Sequence, residues 1–150
     1  MKTLGKIVAV IGLLIIIAFA SAIGKNLGKS AVKNYEQGKI DSAIEDALLE
    51  ASQQINKQLP MMVDSETRLD VTMCAGKHVA YKYTMINVSE KEIDKIDFEN
   101  KIKALLVKNQ CSNENTIKML KMDVRYNYTY LDRNGILLAA ININKSHCGF

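Results

Sequence analysis

Three cysteines, two histidines and one acid-rich stretch are the residues of this sequence whose chemistry could extend beyond packing. The cysteines are Cys74, Cys111 and Cys148, and no two form a Cys-x-x-Cys pair. Metal-finger spacing and a thioredoxin-like redox motif are therefore absent. Cys111 follows an amphipathic helical stretch, and Cys148 stands two residues before the end of the chain. A Cys111–Cys148 bridge would hold a terminal strand against fraying, and closing a loop of that size is worth about 3–4 kcal/mol. Such a bond persists in an oxidising compartment. Cys74 is then a small hydrophobe near a turn, or else a reactive or intermolecular thiol.

His147 beside Cys148 could form half of a metal site, with His78 as its complement. No acid or second cysteine stands at ligand spacing, so no metal is assigned. There is no Gly-x-Ser-x-Gly nucleophile elbow, and Gly24, Gly28 and Gly38 fit neither nucleotide fingerprint. No cofactor is expected. Asp64, Glu66 and Asp70 could surround a cation, but they lack calcium-loop spacing and its central glycine. In the same stretch, Met61 and Met62 offer an adaptable apolar contact surface. With Asp64 and Thr67 they are the candidate binding residues. The alternative is a connector that tucks its methionines under a sheet while Asp64 and Thr67 bond the backbone of a turn.

The elements that must position these groups follow from periodicity. Between Lys6 and Lys25 no charge occurs, and Ile7 to Gly24 is almost wholly apolar. A helix of this kind closes its backbone bonds internally and suits hydrocarbon, at the lower edge of spanning length. Residues 1–24 are expected to be an uncleaved signal anchor, or a signal peptide cut near Ala18-Phe19-Ala20 or Ala20-Ser21-Ala22. Residues 25–58 lead into the domain through an amphipathic helix with Ile40, Ile44, Ala47, Leu48, Ala51 and Ile55 on one face. Pro60 ends it.

Residues 59–150 read as a ββαββ domain. Arg68–Met73 and His78–Val88 alternate as strands around Cys74–Lys77. Ser89 and Glu92 form a capping box that opens a second helix, with Asp97 as a second possible start. That helix buries Phe98, Ile102, Leu105 and Leu106 and ends near Asn109. After a short turn or helix at Asn113–Leu120, Met122–Leu131 and Ile136–Ile143 form a hairpin about Asn134-Gly135. The apolar face reads Leu69, Val71, Met73; Val79, Tyr81, Tyr83, Met85; Val124, Tyr126, Tyr128, Tyr130; Leu137, Ala139, Ile141, Ile143. The expected fold is α+β: a transmembrane helix, a long helix and a four-stranded antiparallel sheet in the order α-β-β-α-β-β.

Five of the six tyrosines lie on that face, either as cross-strand packing or as a stacking platform for single-stranded nucleic acid. The platform needs a basic groove, and Lys82 and Arg125 fall on the opposite face. Net charge is +4 over 150 residues, and after the apolar run 18 basic residues stand against 16 acidic. That excess is too slight for a nucleic-acid surface, so no nucleic-acid partner is expected.

Leu59-Pro60-x-x-Val63-Asp64-x-x-Thr67-x-Leu69, Tyr81-x-Tyr83, Cys111, Tyr126-x-Tyr128, Asp132-x-x-Gly135 and Cys148 together resemble a group of short, uncharacterised bacterial envelope proteins with an N-terminal anchor. The resemblance covers roughly residues 50–150. It implies that Cys111 and Cys148 pair, that Cys74 is extra, and it carries over no catalytic residue. The expected protein is a non-catalytic domain outside the cytoplasm, tethered by residues 7–24 as a single pass of the bacterial inner membrane. It would bind another envelope protein, its effective concentration raised by the tether. The alternatives are a cleaved, soluble periplasmic or secreted small-ligand-binding protein, and a small hydrolase using Asp64, Glu66 or His78.

Overall fold

The computed structural model describes residues 37–150. The expected membrane span at 7–24 lies outside the described residues, as does the start of the expected helix. Among the described residues no helix is long and apolar enough to cross a membrane.

Helix α1 spans Gln37–Asn56. Its stripe at three- and four-residue spacing buries Ile44, Leu48 and Ala51, with Ile40, Ala47 and Ile55 partly covered. Full burial of Ile44 or Leu48 is worth about 1.5–3 kcal/mol each. The chain then forms a two-residue strand β1 (Met61–Met62) and a hairpin of β2 (Thr67–Ala75) and β3 (His78–Met85). Gly76, at φ +56°, takes the first place of the two-residue loop, where a side chain would be strained.

Ser89 and Glu92 close a single 3-10 turn, Glu90–Glu92, in which the Ser89 N–H donates to Glu92 Oε2 at 2.9 Å. The α-helix itself begins later. Helix α2 spans Lys95–Ser112, capped by the Asp94 carboxylate accepting from the N–H groups of Ile96 and Asp97. It buries Phe98, Ile102, Leu106 and Gln110 at every fourth residue. Asn113 caps helix α3 (Glu114–Lys121) in the same manner. Strands β4 (Arg125–Leu131) and β5 (Leu137–Ile143) and a 3-10 turn at Lys145–Cys148 complete the chain.

Among the described residues the sheet has five strands in the order β1-β2-β3-β4-β5, not four, and it is mixed rather than antiparallel. β3 and β4 run parallel. The reason lies in the connection: α2 and α3 carry the chain back across the sheet, so the second hairpin enters in the same direction as β3. This register sets Tyr81 against Tyr128 and Tyr83 against Tyr130. Their rings stack with centroids 5.1 and 5.0 Å apart, and Phe98 meets Tyr130 edge-on at 6.0 Å. The stacked tyrosines and the helix stripes form one core.

Two bulges change which side chains enter it. Leu69 pairs with Tyr83 but Val71 with Lys82, so Asp70 is an extra residue. Beyond it the parity inverts: Thr72 is buried and Met73, expected in the core, is 58% exposed. Asp70 is held by Arg68 Nε at 2.6 Å and Thr84 Oγ1 at 2.5 Å. In β5 the extra residue is Leu138. Leu138 and Ala139 are both buried, and Leu137, also expected inside, is 50% exposed.

Candidate protein-binding surface

The stretch Pro60–Leu69 folds into β1, a tight turn and the start of β2. Met61 pairs with Leu69 and Met62 with Arg68, making β1 the outer edge of the sheet. Asp64 builds the turn: its Oδ1 accepts from the N–H groups of Glu66 at 2.7 Å and Thr67 at 2.8 Å. The Val63 N–H donates to the Thr67 carbonyl at 2.9 Å. Thr67 is fully buried, and its hydroxyl donates to Met85 Sδ. Both methionines stay open, at 40% and 45% exposure. The four candidate residues are thus brought together but divide into two kinds. Asp64 and Thr67 hold the turn, and Met61 and Met62 present apolar surface. Asp64 Oδ2 is buried without a partner among the described residues. The Asp64 charge adds to burial, the larger cause, in raising the Tyr130 pKa well above the ordinary phenol value.

Beside β1, helix α1 closes this edge at Thr72. Asn56 accepts the Thr72 N–H at Oδ1 and donates from Nδ2 to the Thr72 carbonyl, both at 2.8 Å. The side-chain amide does the work of a neighbouring strand. Thr72 also bonds Ser52, hydroxyl to hydroxyl, at 2.9 Å.

The other chemical candidates are dispersed. His78 opens β3 opposite Ala75, at the far end of β2 from Asp64. At about 3.3 Å per residue, that separation approaches 30 Å. His78 therefore lies far from Asp64 and Glu66, which share one turn. His147 accepts the Asn144 N–H at Nδ1 within the terminal 3-10 turn. Cys111 and Cys148 are disulfide-bonded, with Cα atoms 5.3 Å apart. Cys74 is free and half-buried, its thiol donating to the Gly76 carbonyl. Burial first, and the nearby Glu45 charge second, push its pKa up, away from nucleophilic thiolate. Among the described residues no three His, Cys, Asp or Glu side chains gather as metal ligands.

Sequence reasoning missed a second exposed apolar pair, Ile136 (40%) and Leu137 (50%), at the opposite edge of the sheet. A strand pattern alone assigns Leu137 inward, and only the bulge turns it out.

No protein-family model matches the chain, and no curated protein matches it significantly. Solved structures do share its fold. The type II secretion system pilotin AspS of Vibrio cholerae is similar at TM-score 0.56 and 14% identity, over 74% of this chain and 97% of that one. A candidate secreted protein of Pseudomonas aeruginosa is similar at TM-score 0.58 and 12% identity, over 72% and 95%. The type 2 secretion system pilotin EpsS of Vibrio vulnificus is similar at TM-score 0.56 and 11% identity, over 75% and 98%.

Proposed function

We propose that this chain is a non-catalytic bacterial envelope protein whose folded domain lies outside the cytoplasm and binds another protein, as a pilotin-like component beside a secretion apparatus. The observation that carries the reading is the shared fold: nearly the whole length of two type II secretion pilotins superposes on the described domain. The Cys111–Cys148 bond supports an oxidising compartment. Met61 and Met62 are the proposed contact, because two flexible thioethers fixed on a sheet edge adapt to a partner at little cost. Residues 7–24 hold the domain at the inner membrane as a single pass, and the apolar run is what supports that anchor.

A photo-crosslinking amino acid at Met62, in cells carrying the full chain, tests this reading. It predicts an ultraviolet-dependent adduct with one envelope protein, and an intact mass that retains residues 1–24. The absence of any adduct from membranes rules the reading out. A second reading is a cleaved periplasmic or secreted form, favoured by the likeness to the Pseudomonas protein. It predicts a mature chain beginning near Ser21 or Ile23.

A further inference from the structure

Among the described residues β5 is the last strand of the sheet, and its outer side meets no other strand. Among the described residues, no backbone hydrogen bond from outside the β4–β5 ladder reaches Leu137–Ile143. Alternate N–H and C=O groups along it therefore point outward without a partner among the described residues. The bulge at Leu138 disturbs only its first residues. Ala139–Ile143 contains no proline and no charge, the residues that usually guard an edge. Ala140 and Asn142 are exposed but small.

The two ends of this edge differ in chemistry. Ile136 and Leu137 form an exposed apolar step at one end. At the other, a recess of about 270 Å³ is lined by Asp123, Val124, Arg125, Asn144, Lys145 and Ser146. Lys145 pairs with Asp123 at 2.7 Å. Arg125 is exposed and acts on Asp123 through its charge, without forming an ion pair with it. The recess thus holds two cations against one carboxylate.

We propose that β5 receives an extended segment of a partner protein as a sixth strand, with a carboxylate of that segment entering the recess at Arg125 and Lys145. The inference rests on the protein-binding reading above and gives the partner segment its chemistry. An extended chain is the ligand whose own N–H and C=O groups match an open strand edge. The recess's excess of positive charge, two cations on one carboxylate, selects an acid at the end beyond Ile143. A second copy of this chain does not supply one. Antiparallel pairing of two β5 strands about Ala140 would set Gly135, Ile136 and Leu137 against Lys145, Asn144 and Ile143. No carboxylate lies among them.

The test uses the full chain in mild detergent and two synthetic peptides of alternating threonine and valine. One ends in glutamate with a free terminus, the other in glutamine amide. The acidic peptide is expected to slow amide exchange at alternate residues of Leu137–Ile143, and the amide to bind about tenfold more weakly. Arg125→Gln removes that difference. Ala140→Lys, at an exposed position, weakens both peptides while the thermal midpoint holds. No slowing in β5 at millimolar peptide overturns the proposal. So does slowing confined to β1 or β2, or sedimentation showing self-association that Ala140→Lys abolishes. If the peptides fail while a Met62 adduct forms in cells, protein binding stands and the β5 assignment alone falls.

Discussion

The two edges of the sheet carry opposite solutions to the same problem. A terminal strand exposes a row of backbone donors and acceptors, a template for any other extended chain. On the β1 side the row is short and is closed at Thr72. Pro60 precedes a strand of only two residues, and the Asn56 amide satisfies both polar groups of Thr72 where that strand does not reach. On the β5 side seven residues run uncharged and, among the described residues, unpaired on their outer face, broken only by one bulge. The contrast teaches that a protein can offer side chains at one edge and backbone at the other. Met61 and Met62 project from a closed edge, whereas β5 leaves the ladder itself available.

The largest expected effect strikes what steadies the open edge. The Cys111–Cys148 bond ties the turn that follows β5 to the end of α2. Replacing both cysteines by serine should cost about 2–4 kcal/mol in a denaturant titration. Amide exchange should accelerate first over Lys145–Phe150 and then toward Ile143.

Next is the closed edge. Asn56→Ala leaves the Thr72 N–H and carbonyl beside α1 without partners, at a cost of about 1–3 kcal/mol. Thr72 exchange should rise toward that of β5, erasing the difference between the edges. An unchanged Thr72 rate would mean that the Asn56 amide is not what closes it.

A third effect is confined to acid. Asp132 is buried in the β4–β5 loop. Burial acts to raise its pKa. Hydrogen bonds from the N–H groups of Ile136, Glu90 and Asn134, with the Asn134 amide, outweigh it and hold the carboxyl below the usual range. Because the folded value lies below the unfolded value of about 3.9, the contribution is fully present above that pH. It is lost as pH falls through the folded value. Asp132→Asn should therefore be less stable than the parent at neutral pH, with the gap closing as the solution is acidified.

The smallest effect on the fold should come from the site itself. Met62→Lys sits on an exposed side chain and should change stability by no more than about 0.5 kcal/mol. It should nevertheless remove capture by a crosslinker at Met61. Loss of stability with capture retained would assign the methionines to packing.

Much of this arrangement was legible in the chain. The stripe from Ile40 to Ile55, the Asn134-Gly135 hairpin and the inward tyrosines follow from periods of 3.6 and two. They use only neighbours along the sequence. What escaped depends on partners far away in the chain. Asp70 leaves the ladder where Thr84 and Arg68 bind its carboxylate, Asn56 holds Thr72 two residues on, and a single extra residue there exports Met73. Leu138 does the same to Leu137. The parallel register of β3 and β4 depends on where two helices return the chain, which alternation within a strand does not encode. Of the candidate residues, Met61 and Met62 are exposed on β1, and Asp64 and Thr67 hold the turn. The two edges that give them meaning belong to the tertiary fold.

Residue-resolved hydrogen exchange on the full chain, without partner or peptide, tests the difference between the edges most directly. Thr72 should exchange as slowly as the central strand β3, while alternate amides between Ala139 and Ile143 exchange orders of magnitude faster. Uniformly slow exchange through β5, matching Thr72, would contradict the account, because the edge would then already be covered.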